Sequence, residues 1–269
     1  MAEEHLFADA YQPRQIARRV EEMGVAKARA DSLSVFVLAL LAGAFISFGA
    51  LFFTVVVSDS SLGFGVTRLL GGLSFSLGLV LVVVGGAELF TGNNLLAMAW
   101  ASKLISASAV LRNWWLVYLG NVLGCLGTVL LVVWADIASM GSGVVGEMAV
   151  QIARSKAELS LPEAFARGIL SNVLVCLAVW LAMGGRSVCD KIVAILLPIS
   201  AFVTIGFEHS IANWFFLPYG IVLDGQGVVS LGGIGRNLLA VTLGNIVGGT
   251  LLVAGVYWLA YLRNEPHAR

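Results

Sequence analysis

Charge is scarce in this sequence. Only 12% of its 269 residues are Asp, Glu, Lys or Arg, where a soluble domain of this size carries about 25%. With 59% hydrophobic residues and a mean hydropathy of +0.92, there is too little polar surface for water, and the chain is expected in a membrane. Formal net charge is zero and no Lys/Arg-rich block occurs, which argues against nucleic acid as a partner. Cysteine is sparse too: Cys125, Cys176 and Cys189 are an odd number, two of them inside apolar runs, so no disulfide framework is expected. Two of the three histidines, His5 and His267, lie in the tails, and without a close-spaced cysteine pair no zinc-type ligand set is expected. Walker loop, dinucleotide fingerprint, serine elbow and HExxH are all missing. The sequence therefore implies no cofactor, no catalytic cluster and no enzyme. Any transport must be driven by a solute gradient or by coupling to another ion.

What the sequence does contain is long apolar runs. Val35 to Val57, Leu69 to Ala87, Asn113 to Ala135, Gly168 to Gly185 and Asn237 to Leu262 are free of charge. Each approaches the roughly 20 residues a helix needs to span hydrocarbon. A sixth run, Ile192 to Leu223, is interrupted only by Glu208 and His209. The first 34 residues are polar, so no cleavable signal peptide is expected and insertion should use the spans themselves. Six spans with both ends on one side place Arg14, Arg18, Arg19, Lys27, Arg29, Lys103, Arg112, Arg186, Lys191, Arg263 and Arg269 together, against Arg68, Arg154, Lys156, Arg167 and Arg236 opposite. The positive-inside rule then predicts that both termini are cytoplasmic.

The apolar runs repeat. GAELFTGN at 86–93 and GFEHSIAN at 206–213 share Gly, Glu and Asn at an offset of 120. YLGNVLGCLGTVLLVVW at 118–134 and TLGNIVGGTLLVAGVYW at 242–258 share Leu-Gly-Asn, a following Gly and a terminal Trp at an offset of 124. A unit of three spans forces its two copies to point opposite ways through a bilayer. The expected fold is an all-α membrane protein with six transmembrane helices in an inverted 3+3 repeat, repeat one over about 35–135 and repeat two over about 162–262. The pairs Gly120/Gly124 and Gly244/Gly248 are expected to pack helices closely. In the first matched pair glycine precedes the carboxylate, as Gly85-Gly86 before Glu88 and Gly206 before Glu208. Breaks in the second and fifth spans, at 80–94 and 200–210, are therefore predicted, with the freed backbone groups satisfied inside protein or a cavity. Helix ends exposed by such breaks attract anions, which favours passage of a small polar or anionic solute.

Outside the spans there is little. Residues 1–34 form a cytoplasmic region in which PRQIARRVEEMG, 13–24, reads as an amphipathic helix ended by Gly24, either covering a pore mouth or anchoring the chain at the interface. The pore domain covers 35–263, with QIARSKAELS as a short helix in the loop from Asp136 to Leu161, and 264–269 is a fraying cytoplasmic tail.

The polar residues inside the spans divide by chemistry. His209 titrates near neutrality when unperturbed, so it either counters or protonates an anion, or ties a helix break to a neighbouring carbonyl. Glu88 and Glu208 would repel an anion and are read as braces that accept hydrogen bonds from interrupted backbone. Thr91 and Asn172 are neutral groups able to contact a carboxylate-sized anion. Asn93, Asn121, Asn213 and Asn245 are expected to fix helix ends and helix pairs.

GAELFTGNN at 86–94, NVLVCLAVW at 172–180, GFEHSIAN at 206–213 and LGNIVGG at 243–249 together resemble the signatures of the formate/nitrite transporter family. The similarity runs from about residue 5 to residue 263, and AVWLAMGGRSVCDK with VYWLAYLR is nearest the formate channels within it. The resemblance implies aquaporin-like protomers in a homopentamer, each with its own pore, in a bacterial inner membrane. It implies that His209 is a central pore histidine, Thr91 the threonine facing it, Asn172 a nearby asparagine and Lys156 an anion-attracting lysine of the outer vestibule. Phe75 and Phe202 would form an outer constriction, and Leu79, Leu89, Phe90 and Val175 an inner one; by themselves these six read as ordinary packing. The expected partners are formate or a similar small anion, protons and the lipid bilayer. A proton shared through His209 would let a weak acid cross the apolar ring in neutral or nearly neutral form, giving pH-dependent passage. Nitrite, hydrosulfide and a proton-coupled formate carrier are the alternatives, and a non-transport membrane assembly protein is the alternative of a different class.

Overall fold

The computed structural model describes residues 10–264; the tail from 265, His5, His267 and the first nine residues lie outside the described residues. Helices account for the architecture, and no strand occurs among the described residues. In chain order they are α1 Pro13–Arg29, α2 Ser32–Val57, α3 Phe64–Gly85, α4 Ala97–Ala101, α5 Ala107–Trp134, α6 Val144–Ala157, α7 Leu161–Gly184, α8 Val188–Ile205, α9 Ser210–Leu223, α10 Leu231–Val247 and α11 Val256–Tyr261. A 3-10 turn, Gly92–Leu96, leads into α4, and a π-helical stretch, Gly248–Gly255, joins α10 to α11. Six of the helical segments are long and apolar enough to cross a membrane: α2, α3, α5, α7, α8 and the continuous run Leu231–Tyr261. Their outer faces carry Leu33, Phe64, Trp134 and Leu197, between 70% and 83% exposed. Such faces are stable against lipid and not against water.

Local chemistry sets where these helices begin and end. Asp31 accepts from Leu33 N and Ser34 N at the start of α2, and hydrogen bonding from Ser34 holds its carboxyl below the usual carboxylate range. Ser160 with Glu163 and Ser187 with Asp190 form capping boxes at α7 and α8. α3 and α8 both stop at glycines in the left-handed region, Gly86 (φ 78°) and Gly206 (φ 86°). In each case the next residue's amide returns to the turn before: Ala87 N donates to Val82 O at 2.9 Å and Phe207 N to Phe202 O at 3.0 Å. An L side chain at either glycine would be strained there.

α2 packs on α3 and α5, α7 packs on α8 and α10, and α3 lies against α8. The glycines shared by the segments 118–134 and 242–258 make two of the closest of these approaches. A Cβ on Gly124 would stand 2.1 Å from Leu40 O, and one on Gly248 2.2 Å from Ile169 O. Each glycine lets two backbones touch.

Three boundaries differ from the sequence reading. α1 continues through Gly24 to Arg29, because Gly24 faces Ala99 Cβ, 3.2 Å from where its own Cβ would be; it serves contact and not termination. The loop after α5 holds a longer helix than QIARSKAELS alone, Val144–Ala157, whose Ala153 sits against Gly220 of α9. The last span starts at Leu231 on a Ser230 cap, before the charge-free run, and so includes Arg236.

Gly124→Ala and Gly248→Ala are expected to destabilise the protein by about 1–3 kcal/mol each through overpacking. Gly127→Ala, where nothing lies within 4 Å of the added carbon, should be neutral or slightly stabilising. Thermal unfolding in detergent measures all three.

Candidate functional site

The backbone that follows α3 and α8 leaves the helix beside buried side chains. At the first position Glu88 N donates to Leu38 O (3.2 Å), and at the second Glu208 N donates to Arg167 O (3.3 Å). Asn121 donates to Ala39 O and Glu88 O, both at 2.8 Å, and accepts from Phe90 N at 2.9 Å. Asn245 repeats this set, donating to Gly168 O (2.7 Å) and Glu208 O (3.0 Å) and accepting from Ser210 N (2.9 Å). One side-chain amide thus satisfies three backbone groups at each helix end, as burial requires.

The carboxylates are held in matching ways. Glu88 accepts from Asn93 Nδ2 at 2.7 Å, and Glu208 from Asn213 Nδ2 at 2.7 Å. Those amides also donate to Asn113 Oδ1 (2.9 Å) and Asn237 Oδ1 (2.7 Å). Each glutamate has a lysine: Lys27 reaches Glu88 at 3.0 Å and Lys156 reaches Glu208 at 2.9 Å. Asn113 and Asn237 close the circuit by donating to Lys27 O and Lys156 O. Lys27 comes from α1 and Lys156 from α6, elements that share no sequence motif. Their equivalence is therefore visible only in the folded chain.

His209 stands directly after the second carboxylate and is 3% exposed. Its Nδ1 accepts from Ala212 N at 3.1 Å, capping the N-terminus of α9, while Nε2 lies 2.9 Å from Thr91 Oγ1. An atom accepting an amide hydrogen cannot carry one, so the neutral ring is protonated on Nε2 and donates to Thr91. Behind Thr91, Asn172 Nδ2 donates to Thr91 O (3.3 Å), Asn94 Oδ1 (3.2 Å) and Asn245 O (2.7 Å). Its Oδ1 is buried and has no hydrogen-bond partner.

A cavity of about 400 Å³ opens on this group, lined among others by Phe75, Lys156, Phe202, Glu208 and His209. The Phe75 and Phe202 rings meet edge to face at 5.5 Å, and Phe202 lies 6.1 Å from the His209 ring. Leu79, Leu89 and Val175 are buried in the same apolar core, at 3% exposure or less. Phe90 is buried too, but its ring packs edge-on against Trp114 and Tyr118 and borders a separate cavity beside α5 and α10. The structure therefore brings Lys156, Glu208, His209, Phe75 and Phe202 to one vestibule and sets Thr91 against the histidine. Asn172 lies one layer deeper, and Glu88 braces the other helix end. Among the described residues no cluster of His, Cys, Asp or Glu could hold a metal ion.

The sequence model of the formate/nitrite transporter family matches residues 14–259. The chain belongs to this family. It is 41% identical over 273 residues to the formate channel FocA of Escherichia coli (strain K12), covering 95% of this chain and 96% of that one. To a probable formate transporter of Methanothermobacter thermautotrophicus it is 39% identical, with 93% and 97% covered. Among solved structures, a pentameric formate channel with formate bound superposes with a TM-score of 0.80 at 40% identity, covering 86% of this chain and 98% of that chain. An FNT family ion channel gives 0.84 at 28% identity, covering 91% and 98%. These relatives are channels and transporters, so this family member is not an enzyme.

In this transporter the two ion pairs are buried enough for their partners to depend on each other: side-chain exposure is 15% for Lys156 and 5% for Glu208. Lys156→Met should cost about 3–5 kcal/mol by stranding a buried carboxylate. Lys156→Met with Glu208→Gln should recover most of that loss. Unfolding of the two variants in detergent against wild type measures the coupling.

Proposed function

We propose that this protein is a channel for small monovalent weak-acid anions, with formate as its substrate. The observation that carries the reading is the vestibule in which Lys156 lies at the rim and the Nε2–H of His209 points to Thr91. Identity to formate channels over nearly the whole chain supports formate. An anion drawn toward Lys156 meets Phe75 and Phe202 as the outer constriction. Beyond them, Leu79, Leu89 and Val175 form the inner one, with Phe90 turned away toward Trp114 and Tyr118. Carrying a bare charge across such a ring is costly. His209 takes a proton from vestibule water as it gives one from Nε2, by way of Thr91, to the anion, so the ring ends neutral, the weak acid passes neutral or nearly so, and flux responds to pH. The unpartnered Oδ1 of Asn172 supplies a buried acceptor next to Thr91.

The same reading covers architecture. The matched sets of hydrogen bonds around Glu88 and Glu208 support an inverted 3+3 repeat in an aquaporin-like protomer, with the second and fifth spans broken at Gly86 and Gly206 and resumed by the Gly92–Ala101 segment and α9. Glu88 and Glu208 brace those breaks. The solved pentameric relative supports a homopentamer in the lipid bilayer, and the distribution of basic residues supports cytoplasmic termini in a bacterial inner membrane.

Flux of formate, nitrite and hydrosulfide into liposomes at several pH values tests this beside His209→Ala and His209→Asn. Asparagine keeps an acceptor for the α9 cap and removes the titratable ring. Wild type should pass formate with a rate that changes with pH, and the Asn variant should fold but lose that dependence. Unchanged pH dependence in His209→Asn removes the proton role. If none of the three anions crosses at any pH, the substrate class is wrong.

A further inference from the structure

The vestibule contains more positive charge than this passage uses. Arg68 of α3 and Arg167 of α7 line it together with Lys156, and Glu208 is the one carboxylate in its lining. Lys156 is matched to Glu208 at 2.9 Å, whereas neither arginine makes an ion pair within 4 Å of a described carboxylate. Arg68 feels Glu208 at longer range, and Arg167 feels Glu163 one helical turn away.

Both guanidiniums converge on the end of α8. Arg68 Nε donates to Thr204 O at 3.1 Å and its Nη2 donates to Val203 O, while Arg167 Nη1 reaches Gly206 O at 3.5 Å. Val203 O also accepts from Gly206 N at 3.1 Å, and cations are favoured at the carbonyls of a helix C-terminus. A structural clamp would use those bonds alone, yet a guanidinium has five N–H groups in a fixed fork. Most of theirs make no bond to protein and are left for the cavity.

Among the described residues, no arginine bonds the carbonyls at the end of α3 as these two bond the end of α8. The amide of Glu208 donates to the carbonyl of Arg167, and the equivalent amide of Glu88 donates to that of Leu38. At the offset of 120 that relates Glu88 to Glu208, Arg68 corresponds to Val188. The braces are duplicated; the two arginines are not.

We propose that Arg68 and Arg167 form an anion-collecting pair at the mouth of this vestibule, steering carboxylates that enter from the Lys156 side. Guanidinium forks match a carboxylate in geometry as well as charge, and a cleft lined by one sign raises the local concentration and the on-rate of its counter-ion. This rests on the vestibule being the route of the solute, as proposed above.

The test is initial formate uptake into liposomes holding the protein in one known orientation, over a range of formate concentrations at low and high ionic strength. For entry from the Lys156 side at low salt, Arg167→Gln should raise the half-saturating formate concentration roughly three- to tenfold with the maximal rate unchanged. In about 1 M salt, where the Debye length is about 3 Å, the difference should vanish. Arg167→Lys keeps the charge and should stay near wild type. Glu163→Gln retains a capping box with Ser160 and removes the neighbouring negative charge, so half-saturation should fall. It tests the same field without touching the α8 carbonyls. An effect on maximal rate alone, one that persists in high salt, or one equal for entry from both sides would overturn the proposal. Wild-type protein that passes no formate would overturn the underlying reading, whereas wild-type flux with unchanged half-saturation in both charge variants would overturn this inference alone.

Discussion

A helix that ends among apolar helices leaves amides and carbonyls which neither lipid nor water can satisfy, and this constraint organises the molecule. α3 stops at Gly85 and α8 at Ile205, and after a turn the backbone runs into buried surroundings at Ala87 and Glu208. At both ends the solution is one asparagine, Asn121 or Asn245, bonded to three backbone groups. An unsatisfied amide in hydrocarbon costs several kcal/mol, so these two side chains decide whether the chain can leave helical geometry there at all. Their reach is short, and the helices carrying them must come close to α2 and α7. Glycine makes that approach: Gly124 follows Asn121 by one turn and Gly248 follows Asn245, each against the backbone of the helix that also supplies the accepted carbonyl. Packing and polar satisfaction are one device, and this explains why Leu-Gly-Asn recurs with a glycine after it.

The carboxylates occupy a second layer of the same device. Glu88 and Glu208 do not face open cavity on all sides; each is held by an asparagine and a lysine. A buried carboxylate with a lysine and amide donors is neutral as a unit, so it repels a passing anion far less than a bare charge would. Lys156 consequently adds less net field than a lone cation would, and cations outside the pair reinforce it.

The spans were legible because hydrocarbon admits so few charges that their absence over about 20 residues is itself a structural statement. GAELFTGN and GFEHSIAN were legible as equivalents because Glu, Asn and the preceding glycine are each required by the hydrogen bonds they make. Lys27 was not legible. It lies in a helix whose pattern reads as an ordinary amphipathic surface, and its distance from Lys156, 129 residues, matches neither repeat offset. Gly24 misled for a related reason, since a glycine that ends a helix and a glycine that admits a neighbour look alike in sequence. Phe90 sits among aromatic rings of α5, an environment set by tertiary packing and invisible in the string LFTGN.

His209 is the point where the structural device and the proposed solute route share one side chain. Its Nδ1 is committed to the amide of Ala212, so the ring can offer a proton only from Nε2, toward Thr91. Acquiring a second proton would place hydrogen against hydrogen at Nδ1 and release the α9 cap, a loss of about 1 kcal/mol on the usual scale of caps in addition to the cost of charge in an apolar site. The fold therefore favours a neutral histidine at rest that donates a hydrogen bond from Nε2, over one that waits as a cation; a proton passed on to a solute has to be matched by one taken up from vestibule water. That division follows from the backbone break itself: where α8 ends and α9 begins, the residue capping the new helix is also the one turned toward the vestibule. A histidine there is oriented, fixed in tautomer and set in the cavity lining by a single turn of chain.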